Sequence, residues 1–314
     1  MLFCKHSHHV MAVFMSVLIL SACATPNQTL QLKESPPDIP AVSELTTVPF
    51  YPQQDYQCGP AALATVINHF GTQTTAEKLL PLVYIPELKG SLQIEMIAAT
   101  RQFDRLAILQ DGKLESILRE VANGNPVLVL QNLSLEAYPF WHYAVVIGYN
   151  LHAQKIILRS GEINRLVRPF SVFERTWQRA GLWSVVVVPP EIMPQTVSQA
   201  EFIKAVLALE TSGLKSSLFE AYQSGVARWP QNFILQMGRG NAAFALGQYE
   251  LAQQAFMTAT TIEPDRAEAW NNLAYAFVRV GNKKQALNAI NQALKLQPEH
   301  SEYLSSRAEI ISYQ

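Results

Sequence analysis

Hydrophobic positions along the chain change period twice. From Pro60 onward, Leu63, Val66, Ile67 and Phe70 recur at helical spacing, and Gly71 closes that helix. Thr74-Thr75-Ala76-Glu77 has the form of a capping box for a second, short helix, which Pro81 ends or kinks. Residues 91–103 suit a third helix with Leu92, Met96 and Ala99 on one face. Residues 114–121 suit a fourth, closed by Asn123-Gly124. The period then shortens. Val127–Leu130 is a continuous apolar run of the kind buried strands show, and His142–Gly148 is another. Tyr149 to Gln154 holds a turn, Lys155–Leu158 returns, and Trp183–Val188 is the last strand before Pro189-Pro190. Thr47–Phe50 reads as a short entry strand. Helices first and strands later predict an α+β domain with an antiparallel sheet over residues 46–190.

Beyond residue 190 the chain repeats itself. Gly213, Gly247 and Gly281 are 34 apart, as are Pro230, Pro264 and Pro298. Ala252 matches Ala286, Ala259 matches Ala293, and Phe256 matches Ile290 in the same register. A 34-residue helix–turn–helix period with small residues where helices cross is the tetratricopeptide pattern, so residues 191–314 are expected to be all-α. The first repeat, from about Ala200, is degenerate, with Leu218 at the crossing position. Residues 301–312 supply the closing helix that such an array needs. Residues 191–200 read as a linker or the start of the next helix.

Charge narrows the function. With 24 basic and 25 acidic residues the net charge is -1, and no basic cluster stands out. Nucleic acid is not an expected partner. No glycine-rich phosphate loop is present, which argues against ATP hydrolysis. Outside the N-terminal segment, no two histidines or cysteines fall at metal-ligand spacing, so no metal or other cofactor is expected.

The N-terminus reads as a targeting segment. Lys5 with His6, His8 and His9 precedes an apolar run from Val10 to Leu20, too short to span a bilayer as a mature helix. Leu20-Ser21-Ala22-Cys23 follows and resembles a bacterial lipobox. The resemblance implies a signal peptide over 1–22, lipidation of Cys23, and an anchor in the cell envelope of a Gram-negative bacterium. Ala24 is not the aspartate of inner-membrane retention, so the expected place is the outer membrane, facing the periplasm. Residues 23–45 then form the lipidated cysteine and a Pro/Ser/Thr-rich flexible tether.

Three cysteines occur in all. Cys4 leaves with the signal and Cys23 carries lipid, so Cys58 stands without an intramolecular disulfide partner in an oxidising compartment. Such a thiol is either buried or used. Cys58 lies at a helix start, before Gly59-Pro60, where the positive end of the helix favours thiolate. A thiolate is the nucleophile of covalent acyl transfer. Gln53 or Gln54 could aim an amide at the resulting oxyanion. The base must be a histidine. His69 is 11 residues further along the same helix, roughly 16 Å away along the axis. His152 lies in a polar turn and His300 in the repeats. His142, at a strand start, is the expected partner.

Gln53, Cys58-Gly-Pro-Ala-Ala-Leu63 and His142-Tyr-Ala-Val-Val-Ile-Gly-Tyr149 together resemble a papain-like cysteine peptidase, of the type that removes double-glycine leaders from bacteriocins. The resemblance covers residues 46–190. It implies that Cys58 attacks, that His142 is base and then acid, and that Gln53 (or Gln54, by one residue of slip) makes the oxyanion hole. The family orients its histidine with an aspartate on the following strand. In a hairpin turning near 150–154, positions summing to about 302 face each other. His142 then faces Ser160, with no aspartate there. Asn150 and Glu162 are the other candidates. The leader peptidases are fused to a membrane transporter with an ATPase, which this chain lacks.

Three functions follow as expectations. The first is a membrane-anchored cysteine peptidase acting through a Cys58 thioester, whose repeats bind a protein or peptide partner. The second is a catalytically inactive papain-like domain in an assembly lipoprotein that works through its repeats. The third is an acyl-transfer or amidase enzyme of the same fold.

Overall fold

The computed structural model describes residues 25–53, 57–211, 213 and 215–313. The expected signal peptide, Cys23 and Gln54 lie outside the described residues.

The first unit is built on an antiparallel sheet, seven-stranded among the described residues. Its strands include β1 (Val42–Glu44), β4 (Leu106–Leu109), β5 (Val127–Asn132), β6 (Trp141–Asn150), β7 (Lys155–Ser160), β8 (Ile163–Pro169) and β9 (Ser184–Val188), in the order β4-β9-β5-β6-β7-β8, with β1 beside β6. The long central strand β6 alternates its side chains between two cores. Tyr143, Val145 and Ile147 pack under α2 (Cys58–His69), against Leu63, Val66 and Ile67. Ala144 and Val146 face the opposite core, with Ile117 and Val121 of α5 (Leu114–Ala122) and Phe173 and Trp177 of α6 (Phe170–Gln178). On the α2 face lie α3 (Ala76–Val83), the two-stranded ladder of β2 (Tyr84–Ile85) and β3 (Gly90–Ser91), and α4 (Gln93–Thr100).

Several local expectations shift. The cap of α3 is Thr75, whose side chain accepts from Lys78 N–H, while Thr74 instead exchanges hydrogen bonds with Asn68. Pro81 stays inside α3. Ser91 belongs to β3, so the third helix starts at Gln93 and leaves Leu92 exposed. Thr47–Phe50 is not a strand; the entry strand is Val42–Glu44, paired with Gly148–Asn150. β4, β8 and α6 have no counterpart in the sequence pattern. β4 is four residues long, and β8 is a largely polar strand at the sheet edge, so neither carries a clear period.

The segment expected to be a tether is packed. Residues Asn27–Glu34 form α1, whose first N–H groups are met by buried Glu174: it accepts from Gln28 N at 2.9 Å, Thr29 N at 2.7 Å and the Thr29 hydroxyl at 2.6 Å. Carboxylates are favoured at helix starts, where four N–H groups lack partners. Gln28 also accepts from Leu114 N–H and donates to the Gly112 carbonyl. Leu32 fills a gap in the core. Polar composition hid this docking because the polar groups of α1 find partners more than 80 residues away in sequence.

Residues 191–198 are fixed in the same manner. Fully buried Glu120 accepts from Thr196 N at 2.6 Å, the Thr196 hydroxyl at 2.6 Å, and Asn125 Nδ2 at 2.8 Å. α7 (Gln199–Glu210) then lies along β4, and Phe202, Val206, Tyr222 and Leu235 extend the sheet core into the repeats.

The helical pairs are α7 with α8 (Lys215–Arg228), α9 (Phe233–Ala245) with α10 (Tyr249–Ile262), and α11 (Ala267–Arg279) with α12 (Lys283–Leu296), closed by α13 (Ser301–Ser312). The sequence register is realised in full. Ala252, Ala259, Ala286 and Ala293 are all buried at crossings, and Gly213, Gly247 and Gly281 share φ of +72°, +77° and +77°. That left-handed backbone suits glycine after a helix end.

Candidate active site

The first turn of α2 carries Cys58. Nine of the twelve residues of α2 are buried, and Cys58 itself is half-buried at the open end. The close approach of α2 to β3 depends on Gly59. A Cβ there would lie 2.3 Å from Ser91 Oγ and 2.7 Å from Ser91 Cβ. Pro60 follows, within the first turn, where no N–H partner is lost.

β6 supplies the other half. β7 pairs with β6 from Asn150 back to Val145 and ends at Ser160. Trp141 and Tyr143 therefore have no strand partner on that side among the described residues. The Tyr143 backbone lies near the Cys58 sulfur, and its N–H favours the thiolate form. The Tyr143 ring is held by its hydroxyl, which donates to the Ser91 carbonyl at 3.1 Å, and by an edge-on contact with Trp183 at 5.7 Å between ring centres. His142, one residue earlier on β6, is buried, and its Nε2 lies 2.8 Å from Ser160 Oγ.

The expected pairing sum of about 302 does not hold. Val145 pairs with Arg159, and beyond an irregularity between Val146 and Gly148 the pairs are Gly148–Ile157 and Asn150–Lys155. Ser160 consequently reaches His142 diagonally rather than from directly opposite, a separation that side chains on one face can bridge. Asn150 is occupied elsewhere, accepting from Ala153 N–H in the β6–β7 turn. Glu162 is exposed beyond β7. Of the three candidate orienting residues, Ser160 makes the contact.

Gln53 is tied to the same corner: its N–H donates to the Gly161 carbonyl at 3.3 Å. Arg159 braces the loop before it, donating to the Val48 carbonyl at 2.8 Å and to Asn164 at 2.6 Å. The remaining histidines are elsewhere. His69 Nε2 is 2.9 Å from the Gly124 carbonyl, His152 is exposed in its turn, and His300 stacks on Tyr303 at the start of α13.

Electrostatics differ from the expectation of a ready thiolate. Burial pushes the Cys58 thiol up, and the N–H groups of Tyr143, Gly59 and Cys58 itself offset this only in part. Burial pushes His142 down. Both shifts favour the uncharged form, thiol for Cys58 and neutral imidazole for His142. The helix start does supply stabilising N–H groups, as expected, but desolvation of the sulfur outweighs them.

Tyr143, Ser91 and Trp183 add to the site beyond what the two motifs indicate. The signal was present only for Tyr143, which follows His142 directly. Ser91 lies far from both motifs and enters through the packing of β3 on α2.

The first unit combines a half-buried cysteine at a helix start with a buried histidine on the central strand of an antiparallel sheet. Residues 45–182 match the Peptidase_C39 like family, and residues 220–310 match the tetratricopeptide repeat; the chain carries a C39-like domain followed by these repeats. Among characterised proteins, a tetratricopeptide repeat-containing protein, trd-1, of Caenorhabditis elegans is 36% identical over 61 residues, which are 19% of this chain and 8% of that protein. Protein FlbA of Caulobacter vibrioides is 30% identical over 93 residues, 30% of this chain and 16% of that one. The matches thus span under a fifth of either relative. A solved protein from Bacillus anthracis, described as a C39-like peptidase, shares 17% identity and a TM-score of 0.40 over 47% of this chain and 97% of its own.

Proposed function

We propose that the chain is a lipid-anchored cysteine peptidase whose repeats hold a protein or peptide partner. The observation that carries the reading is the meeting of α2 and β6: Cys58 sulfur near the Tyr143 backbone, with His142 one residue away and its Nε2 engaged by Ser160 at 2.8 Å. With Nε2 occupied, Nδ1 is the ring nitrogen left for the thiol. His142 takes the Cys58 proton as sulfur attacks a peptide carbonyl. The C–S bond forms, and the oxyanion is met by the Cys58 N–H and the Gln53 amide. The C–N bond then breaks as His142 returns the proton to the leaving amine. Water hydrolyses the thioester, with His142 again as base. A neutral resting pair suits this order, because the proton moves only when a substrate arrives.

The repeats offer a groove of about 480 Å³ between α10, α11 and α12. Met257, Trp270 and Phe277 line it with Gln285, Asn288 and Gln292, and no charged side chain contributes. A peptide presenting apolar side chains and backbone amides fits it better than a charged one. The anchor in this reading is supported by Leu20–Cys23, and the outer membrane, facing the periplasm, is its proposed place. No helix among the described residues is long and apolar enough to cross a membrane.

A second reading has its own support. Both members of the pair are neutral, and the orienting group is a hydroxyl rather than a carboxylate, which suits a domain retained for binding alone. A substrate-shaped reagent separates the two. A peptidyl chloromethyl ketone should alkylate Cys58 much faster than chloroacetamide does, and His142→Ala should abolish the difference. Equal rates with both reagents in the wild type would favour the binding domain.

A further inference from the structure

The loop between β5 and β6, together with Trp141 at the start of β6, is an ordered apolar projection. In nine residues it exposes Leu133, Leu135, Tyr138, Phe140 and Trp141, with Glu136 as its single charge. Leu135 is 69% exposed, Tyr138 79%, Phe140 60% and Trp141 52%. Its shape is specified from within. Asn132 Oδ1 accepts from Ser134 and Phe140 N–H, each at 3.0 Å, and Asn132 Nδ2 donates to the Leu135 carbonyl. Leu133 N–H bonds the Phe140 carbonyl, and Arg179 holds the Asn132 carbonyl from α6. A braced loop that presents its large apolar side chains outward is built to meet something apolar.

The path of the chain says what. Asn132, Trp141, Trp183 and Leu109 mark one end of the sheet, since Leu130 N–H bonds Trp183 and Gln110 N–H bonds Ser184. Gln28, in the first turn of α1, is fastened to Gly112 and Leu114 immediately beyond that end, and α1 runs from there toward β1 at the other. The described chain therefore enters at the end from which the loop projects. Upstream are the apolar run Val10–Leu20 and Cys23. Gln28 is five positions beyond Cys23, a reach of at most about 18 Å. The proposed lipid on Cys23, on which the inference rests, would hold this end against a membrane. Trp and Tyr beside leucine, with little charge, is the composition favoured at the membrane–water interface.

We infer that the loop Leu133–Trp141 seats in the interfacial layer of a phospholipid bilayer, as a second point of attachment beside the N-terminal anchor. The sheet end bearing Cys58 and His142 then opens at the membrane surface, and chains lying along or emerging from the membrane are the ones presented to it. This inference does not require Cys58 to be catalytic.

The test is tryptophan quenching with the full chain reconstituted in vesicles of phosphatidylethanolamine, phosphatidylglycerol and acyl-brominated phosphatidylcholine. Attachment is followed by flotation. Bromolipid should quench part of the emission, Trp141→Phe should lose that part, and Leu135→Glu should weaken it. Cys58→Ala should behave as wild type, which separates this result from any failure of the peptidase reading. Floating protein with no bromolipid quenching would overturn the inference, as would quenching that survives in Trp141→Phe. Trp141 emission insensitive to bromolipid but shifted by an added apolar peptide would assign the loop to substrate instead.

Discussion

Ser160 holds the outer nitrogen of His142: Oγ and Nε2 are 2.8 Å apart, both groups buried, on strands whose pairing does not set them opposite each other. A hydroxyl here fixes the ring but adds no charge to stabilise an imidazolium. Under the peptidase reading, Ser160→Ala should slow alkylation by a peptidyl chloromethyl ketone by up to about tenfold, one hydrogen bond's net worth of about 0.5–1.5 kcal/mol. Ser160→Asp should speed it, because a carboxylate raises the imidazole pKa. Unchanged rates in both variants would remove Ser160 from the site.

Burial of Cys58 sets a pH dependence. The thiol titrates above its ordinary value of about 8.5, so chloroacetamide labelling of the native protein should keep rising through that pH without an earlier plateau. The neutral thiol is the form the fold favours. Its contribution to stability is whole below the ordinary thiol pKa and is lost as pH climbs through the raised one. A labelling plateau near neutrality would mean a thiolate–imidazolium pair already at rest.

His142 acts on the acid side. Burial lowers its pKa, so the fold favours neutral imidazole, and that contribution is whole above the ordinary histidine value of about 6.5 and lost as pH falls through the depressed value. His69 is lowered too, by burial, against a partial offset from the Gly124 carbonyl. The urea midpoint should therefore fall between pH 7.5 and 5.5, and His142→Gln should flatten the fall. An identical slope in the variant would place the titration elsewhere.

Gly59 and Ser91 form a tight pair. Gly59→Ala should cost about 1–3 kcal/mol from overpacking, since the new Cβ would meet Ser91 Oγ at 2.3 Å. Ser91→Gly removes both clashing atoms and should recover most of the loss. A double-mutant cycle in urea measures the coupling. Additive effects would mean that α2 shifts away from β3.

Glu174 anchors α1. Glu174→Ala leaves the N–H groups of Gln28 and Thr29 without their carboxylate. A cost of about 2–4 kcal/mol is expected from losing hydrogen bonds to a buried charge. Limited proteolysis should then cut between residues 27 and 44 before any other site; an unchanged digestion pattern would mean that β1 alone retains the segment.

Much of the chemistry was legible in one dimension because it depends on local geometry. Cys58 before Gly59-Pro60 states a helix start by itself, and the strand run at His142 states a buried strand. Other features were closed to that approach. The docking of residues 27–44 and 191–198 rests on two buried carboxylates, Glu174 and Glu120, whose partners are distant in sequence. An unbroken hairpin would set Ser160 opposite His142; the true register differs, with an irregularity in β6 between Val146 and Gly148.

Legible along the chain were the helices at 58–69 and 114–122, the strands at 127–130, 142–148 and 183–188, the cysteine and histidine motifs, and the 34-residue register that buries four alanines and sets three glycines in left-handed turns. These follow from backbone propensities and periodic burial, which act over a few residues. Packing in three dimensions makes the thiol rest neutral, since desolvation depends on what covers the sulfur. It also decides that Tyr143, Ser91 and Ser160 frame the pair, that the supposed tether is part of the first unit, and that one core runs from the sheet into the repeats. Those are sums over contacts between distant segments, and no local pattern along the chain encodes them.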